Sequence, residues 1–164
     1  MECIAMNIHI MPIKQFLQMD TTPYTSVAVI SSSAYVDQTQ IPCPYILQEY
    51  MDFDYASPRS LSTEQALAFA NFLKNTDKGI TDIYVCCDAG ESRSPAIAAA
   101  IHRWFAQSDR HVWESAIYHP NVLCFCRVME ALNLSITDEE IDVLIQTNRY
   151  AFKMAMQKAK QETT

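Results

Sequence analysis

The chain reads as an α/β protein: a single three-layer domain with a mostly parallel central sheet of about four or five strands flanked by helices. Three observations carry this. Short apolar runs alternate with longer segments of helical periodicity. The length, 164 residues with 49% hydrophobic side chains, suits one domain with a real core. An apolar run at 80–86 passes into a short loop and then a helix-forming stretch, the order in which open α/β sheets present ligand sites at strand ends. The whole of 1–164 is read as this one domain, with a core over about 6–134 and a C-terminal helix over about 137–158.

Each element has its own signal. Met6 to Ile10 predicts a first strand, and Pro12, placed as a first helical residue, opens a short helix to about Met19. Ser26 to Ser31 predicts a second strand that runs into serines 31–33. A third strand is expected over Tyr45–Tyr50, because Pro42 and Pro44 exclude the residues before it. Ser62 and Gln65 form a capping box for a helix to Asn75, with Leu67, Phe69, Ala70, Phe72 and Leu73 as its apolar face. Ile80 to Cys86 predicts a buried strand, and Arg93 to Ala106 the helix after the loop. Val112–Ile117 predicts a short helix, His119-Pro120-Asn121 a turn, and Val122–Leu132 a further helix. Thr137 and Glu140 form a second capping box, opening a helix from Asp138 to about Gln157. Its apolar side is Ile141, Leu144, Ile145, Ala151 and Phe152.

Composition narrows the function. No stretch approaches the length of a membrane span, and the first residues lack a basic region followed by an apolar one, so the expectation is a cytoplasmic protein. Six cysteines, one of them placed as a working thiolate, fit a reducing compartment better than a disulfide scaffold. A formal charge of −7 argues against nucleic acid or anionic membrane as a partner.

The residues that carry chemistry lie at 85–95, Val-Cys-Cys-Asp-Ala-Gly-Glu-Ser-Arg-Ser-Pro. Attack on a phosphorus atom needs a nucleophile that is charged at neutral pH, so the site must favour thiolate over thiol. The backbone N–H groups of Asp88, Ala89, Gly90, Glu91, Ser92 and Arg93 can wrap round one point as an anion nest. The helix that follows aims its positive end at the same point. Both effects stabilise a thiolate at Cys87 and hold phosphate oxygens. Arg93 adds a planar fork of donors. Ser94 is placed to hydrogen-bond the sulfur and help it leave. Gly90, one of two glycines in the chain, sits where a positive φ or a close backbone approach is expected.

Cys87-Asp-Ala-Gly-Glu-Ser-Arg93-Ser94 is similar to the His-Cys-x-x-Gly-x-x-Arg-Ser signature of cysteine-dependent protein tyrosine and dual-specificity phosphatases. Cys87, Gly90, Arg93 and Ser94 match it, and Cys86 stands where the histidine is usual. The order of elements from about Asn7 to Leu134 resembles that of compact bacterial predicted tyrosine phosphatases. The softer matches are Val27-Ala28-Val29-Ile30-Ser31, Asp52-Phe53-Asp54 and Pro120-Asn121. The resemblance implies a phosphotyrosine phosphatase-like fold and a phosphatase that works through a Cys87 thiophosphate without metal or other cofactor, a monomer whose expected partner is a phosphorylated protein or a small phosphomonoester. It also implies an aspartate that protonates the leaving oxygen. Asp54 stands ahead of Cys87 at a separation similar to that in dual-specificity phosphatases, and Asp52 is the alternative.

Other residues have plainer readings. Cys124 and Cys126 read as buried apolar cysteines, since neither Cys86-Cys87 nor Cys124-Phe-Cys126 has zinc-site spacing. Cys86 or Cys124 could trap an oxidised Cys87 as a disulfide. His102 and Trp104 read as packing or surface residues, and Asn121 as the cap of the next helix. Asp88 and Glu91 read as solvent-facing, and as unfavourable to highly charged substrates. Tyr24, Tyr35 and Tyr55 are candidate pocket walls. Two further functions stand beside the phosphatase: a catalytically impaired phosphate-binding module, and a sulfur-transfer or arsenate-reducing enzyme.

Overall fold

The computed structural model describes residues 6–19, 27–32, 41, 43, 45–48, 61–75 and 79–162. Its centre is a four-stranded, all-parallel sheet in the order β1-β4-β2-β3, formed by β1 (Asn7–Pro12), β2 (Val27–Ser31), β3 (Tyr45–Gln48) and β4 (Asp82–Cys87). The α/β class and parallel sheet expected from the alternating pattern are therefore what the chain forms. Strand β4 lies between β1 and β2, with Ile8 opposite Ile83 on one side and Ala28 opposite it on the other.

Alternation along the strands divides the core between the two faces. Ile30, Ile83 and Val85 point to one face, where α2 (Thr63–Asn75), α3 (Arg93–Trp104), α4 (Arg110–Trp113) and α5 (Val122–Ala131) bury Phe69, Ile97, Ile101, Trp113 and Phe125. Val29, Tyr84 and Cys86 point to the other, against Ile13 and Phe16 of α1 (Ile13–Leu17). In α3, Ala96, Ala98, Ala99 and Ala100 are all fully buried. Their small side chains let this helix lie close to the sheet.

Both capping boxes form. Ser62 Oγ accepts from Gln65 N at 3.2 Å while Gln65 Oε1 accepts from Ser62 N at 3.0 Å, and Thr137 and Glu140 make the same exchange at 3.2 and 2.9 Å. Asn121 caps α5, its Oδ1 accepting from Cys124 N at 2.9 Å. Ala106 (φ 54°) and Asn133 (φ 57°) end α3 and α5 in the left-handed conformation. The bonds Gln107 N to His102 O and Leu134 N to Met129 O close both ends.

Several boundaries differ from expectation. Strand β1 runs on to Pro12, which is extended (φ −62°, ψ 141°) and caps α1 rather than opening it. A proline is tolerated there because β1 is an edge strand. Strand β4 includes Cys87, and α3 stops at Trp104 because Ala106 turns the chain. Helix α4 is Arg110–Trp113, earlier than the expected 112–117. Past it, Ile117 N and Tyr118 N donate to Ser115 Oγ at 3.0 and 3.3 Å, and Asn148 Nδ2 lies within hydrogen-bond distance of the Trp113, Ser115 and Tyr118 carbonyls at 3.2, 3.2 and 2.9 Å. On α2, Ala66 is buried and Leu67 is 46% exposed, so the apolar stripe is rotated from the one expected. Helix α6 (Asp138–Glu162) continues past Gln157 through a run of good helix formers. Its expected apolar side, Ile141, Leu144, Ile145, Ala151 and Phe152, is the half-buried one. No helix among the described residues is long and apolar enough to cross a membrane.

Candidate active site

The site forms where β4 ends and α3 begins. Cys87, the last residue of β4, is 2% exposed. Gly90 N–H donates to its Sγ at 3.2 Å, and Ser94 Oγ lies 3.1 Å from the same sulfur. A backbone N–H and a hydroxyl thus converge on one sulfur. Ser92 stands at the N-cap of α3 but its side chain makes no capping bond, so it does not satisfy the first-turn N–H groups.

Gly90 is required twice over. Its φ is +74°, and a Cβ there would lie 2.6 Å from Pro12 N and 2.8 Å from the Met11 carbonyl carbon. The loop therefore folds directly onto the end of β1. That approach allows no side chain.

Arg93 is 7% exposed and anchored through both prongs of its guanidinium. Nη1 donates to Ser32 O at 2.7 Å, and Nη2 pairs with Asp88 Oδ2 at 2.6 Å. Ser32 is itself fixed to β4, its N–H donating to Cys86 O at 2.9 Å. The role of Ser32 was not legible: its contribution to Arg93 is a main-chain carbonyl, and the serine run 31–33 marked only a strand end. Asp88 corrects an expectation. It is half-buried and ion-paired with Arg93 rather than turned to solvent, because a buried guanidinium attracts the nearest carboxylate. Glu91 is exposed, as expected.

The loop is braced from behind. Glu91 O accepts from His119 N at 2.7 Å and Ser92 O from Asn121 N at 3.2 Å. The His119-Pro120-Asn121 turn thereby holds the loop's own carbonyls turned outward. Asn148 of α6 holds the 113–118 segment leading into that turn, and the His119 ring stacks on Phe152 at 3.7 Å between centroids. A cavity of about 370 Å³ lies in this region, lined among others by Ser92, His119, Asn121, Asn148 and Arg149.

The other cysteines are set apart by burial. Cys86 faces α1 in the smaller core; burial, and then the Cys87 sulfur, pushes its thiol up to about 12. Burial pushes the Cys124 thiol up to about 12 as well, and raises Cys126, which is half-buried rather than buried. Cys86 and Cys124 are neutral thiols at neutral pH and do not compete as nucleophiles. His102 is buried with Nδ1 3.1 Å from Gln107 Oε1, and burial lowers its pKa, as does His111. It packs within the scaffold. Trp104 is half-buried. Asp52, Asp54, Tyr24, Tyr35 and Tyr55 lie outside the described residues. The structure therefore brings together Cys87, Gly90, Arg93 and Ser94, with Asp88.

No protein-family model matches the chain, and no curated protein matches it. Among solved structures it is similar to the crystal structure of PTPMT1 in complex with PI(5)P, with a TM-score of 0.41 and 17% identity over 93% of this chain and 96% of that one. At that distance the likeness carries no argument about the site.

Proposed function

We propose that the protein is a phosphomonoester hydrolase of the protein tyrosine/dual-specificity type, acting through a Cys87 thiophosphate. The observation that carries this reading is the convergence on Cys87 Sγ of Gly90 N–H and Ser94 Oγ, at a strand end that also bears the buried guanidinium of Arg93. In the proposed reaction Cys87 Sγ attacks phosphorus while the ester P–O bond breaks. Arg93 and the loop amides hold the non-bridging oxygens. Asp54, or Asp52 in its place, gives a proton to the leaving oxygen. Water then attacks phosphorus, giving its proton to the same aspartate as the S–P bond breaks, and Ser94 Oγ stabilises the departing thiolate. The substrate class is a phosphorylated protein or a small phosphomonoester, met in the cytoplasm by a monomer. The narrower resemblance to the compact bacterial enzymes rests on sequence alone.

An aryl phosphate, assayed with a chelator present, is expected to be hydrolysed by the native protein and not by Cys87→Ser or Arg93→Ala. A fully active Cys87→Ser protein, or activity that depends on added metal, overturns the mechanism. Asp54→Asn is expected to slow substrates with poor leaving groups by about 10²–10⁴ while sparing aryl substrates with good ones. An equal loss on both assigns Asp54 a structural role. A second reading, a catalytically impaired phosphate binder, is favoured by one observation: Asp88 already holds one prong of Arg93. Phosphate binding by a native protein without turnover would select it.

A further inference from the structure

We infer that Asp88 is an internal gate on the phosphate cradle, so that the site takes up phosphate by exchanging one anion for another. The inference rests on the proposed reading of residues 87–94 as a phosphate-binding loop. The Asp88 carboxylate sits 2.6 Å from Arg93 Nη2, with side-chain exposures of 23% and 8%. The opposite prong, Nη1, is already committed to Ser32 O at 2.7 Å. A phosphate that is to engage the fork at Nη2 meets the Asp88 carboxylate in its place.

The pair has a physical reason to exist. A guanidinium buried without a counter-charge is strongly destabilising, and Asp88 supplies that charge. When phosphate arrives, the carboxylate, the nucleophilic sulfur and the phosphate crowd one guanidinium. Like charges in a half-buried site are poorly screened, so the carboxylate must give way. Its partial exposure leaves it a route to solvent. Glu91, the loop's other acid, is exposed, and the group it contributes to the brace is its main-chain carbonyl. The gate therefore belongs to Asp88 and not to loop acidity in general.

The consequence is selectivity. Displacing Asp88 is a fixed cost on every phosphate, and any further negative charge close to the reacting phosphate meets the displaced carboxylate. An isolated phosphomonoester is favoured over a substrate with clustered phosphates.

The test titrates inorganic phosphate calorimetrically into the native protein, Asp88→Asn and Glu162→Gln. The last removes the same unit of charge from the exposed end of the chain. Asp88→Asn is expected to bind phosphate about tenfold more tightly or better, with KM for an aryl phosphate falling in step. Glu162→Gln is expected to match the native protein within about twofold, because a distant exposed charge is screened. Tighter binding is not what structural damage produces. Asp88→Ser, read the same way, covers the case in which the asparagine variant does not fold, as judged by melting. Equal or weaker binding in a folded variant overturns the gate and makes Asp88 a brace for Arg93, leaving the phosphatase reading intact. Phosphate that binds none of the proteins overturns that reading, and the gate with it.

Discussion

Helices α3 and α6 serve the same loop from opposite circumstances. In α3 every residue from Arg93 to His102 is buried, whereas α6, with 25 residues against 12, buries none. The short helix is fixed by the sheet beneath it and by α5 beside it, so its first turn presents Arg93 and Ser94 at a set height above Cys87. The long helix touches the body along one half-buried side and acts on the site through Asn148, which gathers three carbonyls of the segment behind the loop. Packing makes the first helix a platform. In the second, hydrogen bonding makes a single side chain a buckle.

The contrast can be broken most severely at the front of α3. Gly90→Ala forces a side chain into a positive-φ position and onto Pro12, and is expected to lower stability by about 1–3 kcal/mol and to abolish turnover. Gly79→Ala is its control, since a Cβ there meets nothing within 4 Å. Thermal melts and aryl phosphate assays of the pair check this; equal effects at both positions would show that the close approach to β1 is not what the loop depends on. Next in size is Asn148→Ala. Losing the donor to three carbonyls is expected to destabilise by about 1–2 kcal/mol and to speed hydrogen exchange at the His119 and Asn121 amides. Unchanged exchange at those amides would reduce α6 to an appendage. The smallest effect is expected from ending the chain after Lys153. The residues removed from the described helix are exposed, and the melting free energy should move by less than about 0.5 kcal/mol.

Legibility followed the range of the interactions. The capping boxes at Ser62 and Thr137, the Asn121 cap and the strand–loop–helix junction are local, and their residues announce them. The apolar side of α6 was also readable, because periodicity alone sets it. What was hidden depends on groups far apart in sequence or on main-chain atoms. Pro12 reads as a helix start until β4 pairs with it. Cys86 reads as a departure from the histidine of the resembled signature. Strand alternation turns it away from the site and into the core against α1. The Arg93 anchor at Ser32 is a carbonyl, which no residue type reveals, and Asp88 could not be seen to turn inward without the buried arginine beside it.

The strand order has a consequence for how the candidate site is assembled. The inner strand β4, the last of the four in chain order, is flanked by β1 and β2 from nearer the start. His9 meets Asp82 across 73 positions, and Arg93 meets Ser32 across 61. Long loops must close before these pairs form, which places the chain among slow, non-local folders. During synthesis, β1 and β2 emerge without the strand that joins them and stay unpaired with it until β4 follows. Cys87 and Arg93 come with β4 and the turn after it, and Ser32 and Pro12 precede them in the chain. Assembly of the Cys87 loop and pairing of β4 into the sheet are therefore one folding event, and a form without β4 in place lacks the Arg93–Ser32 anchor.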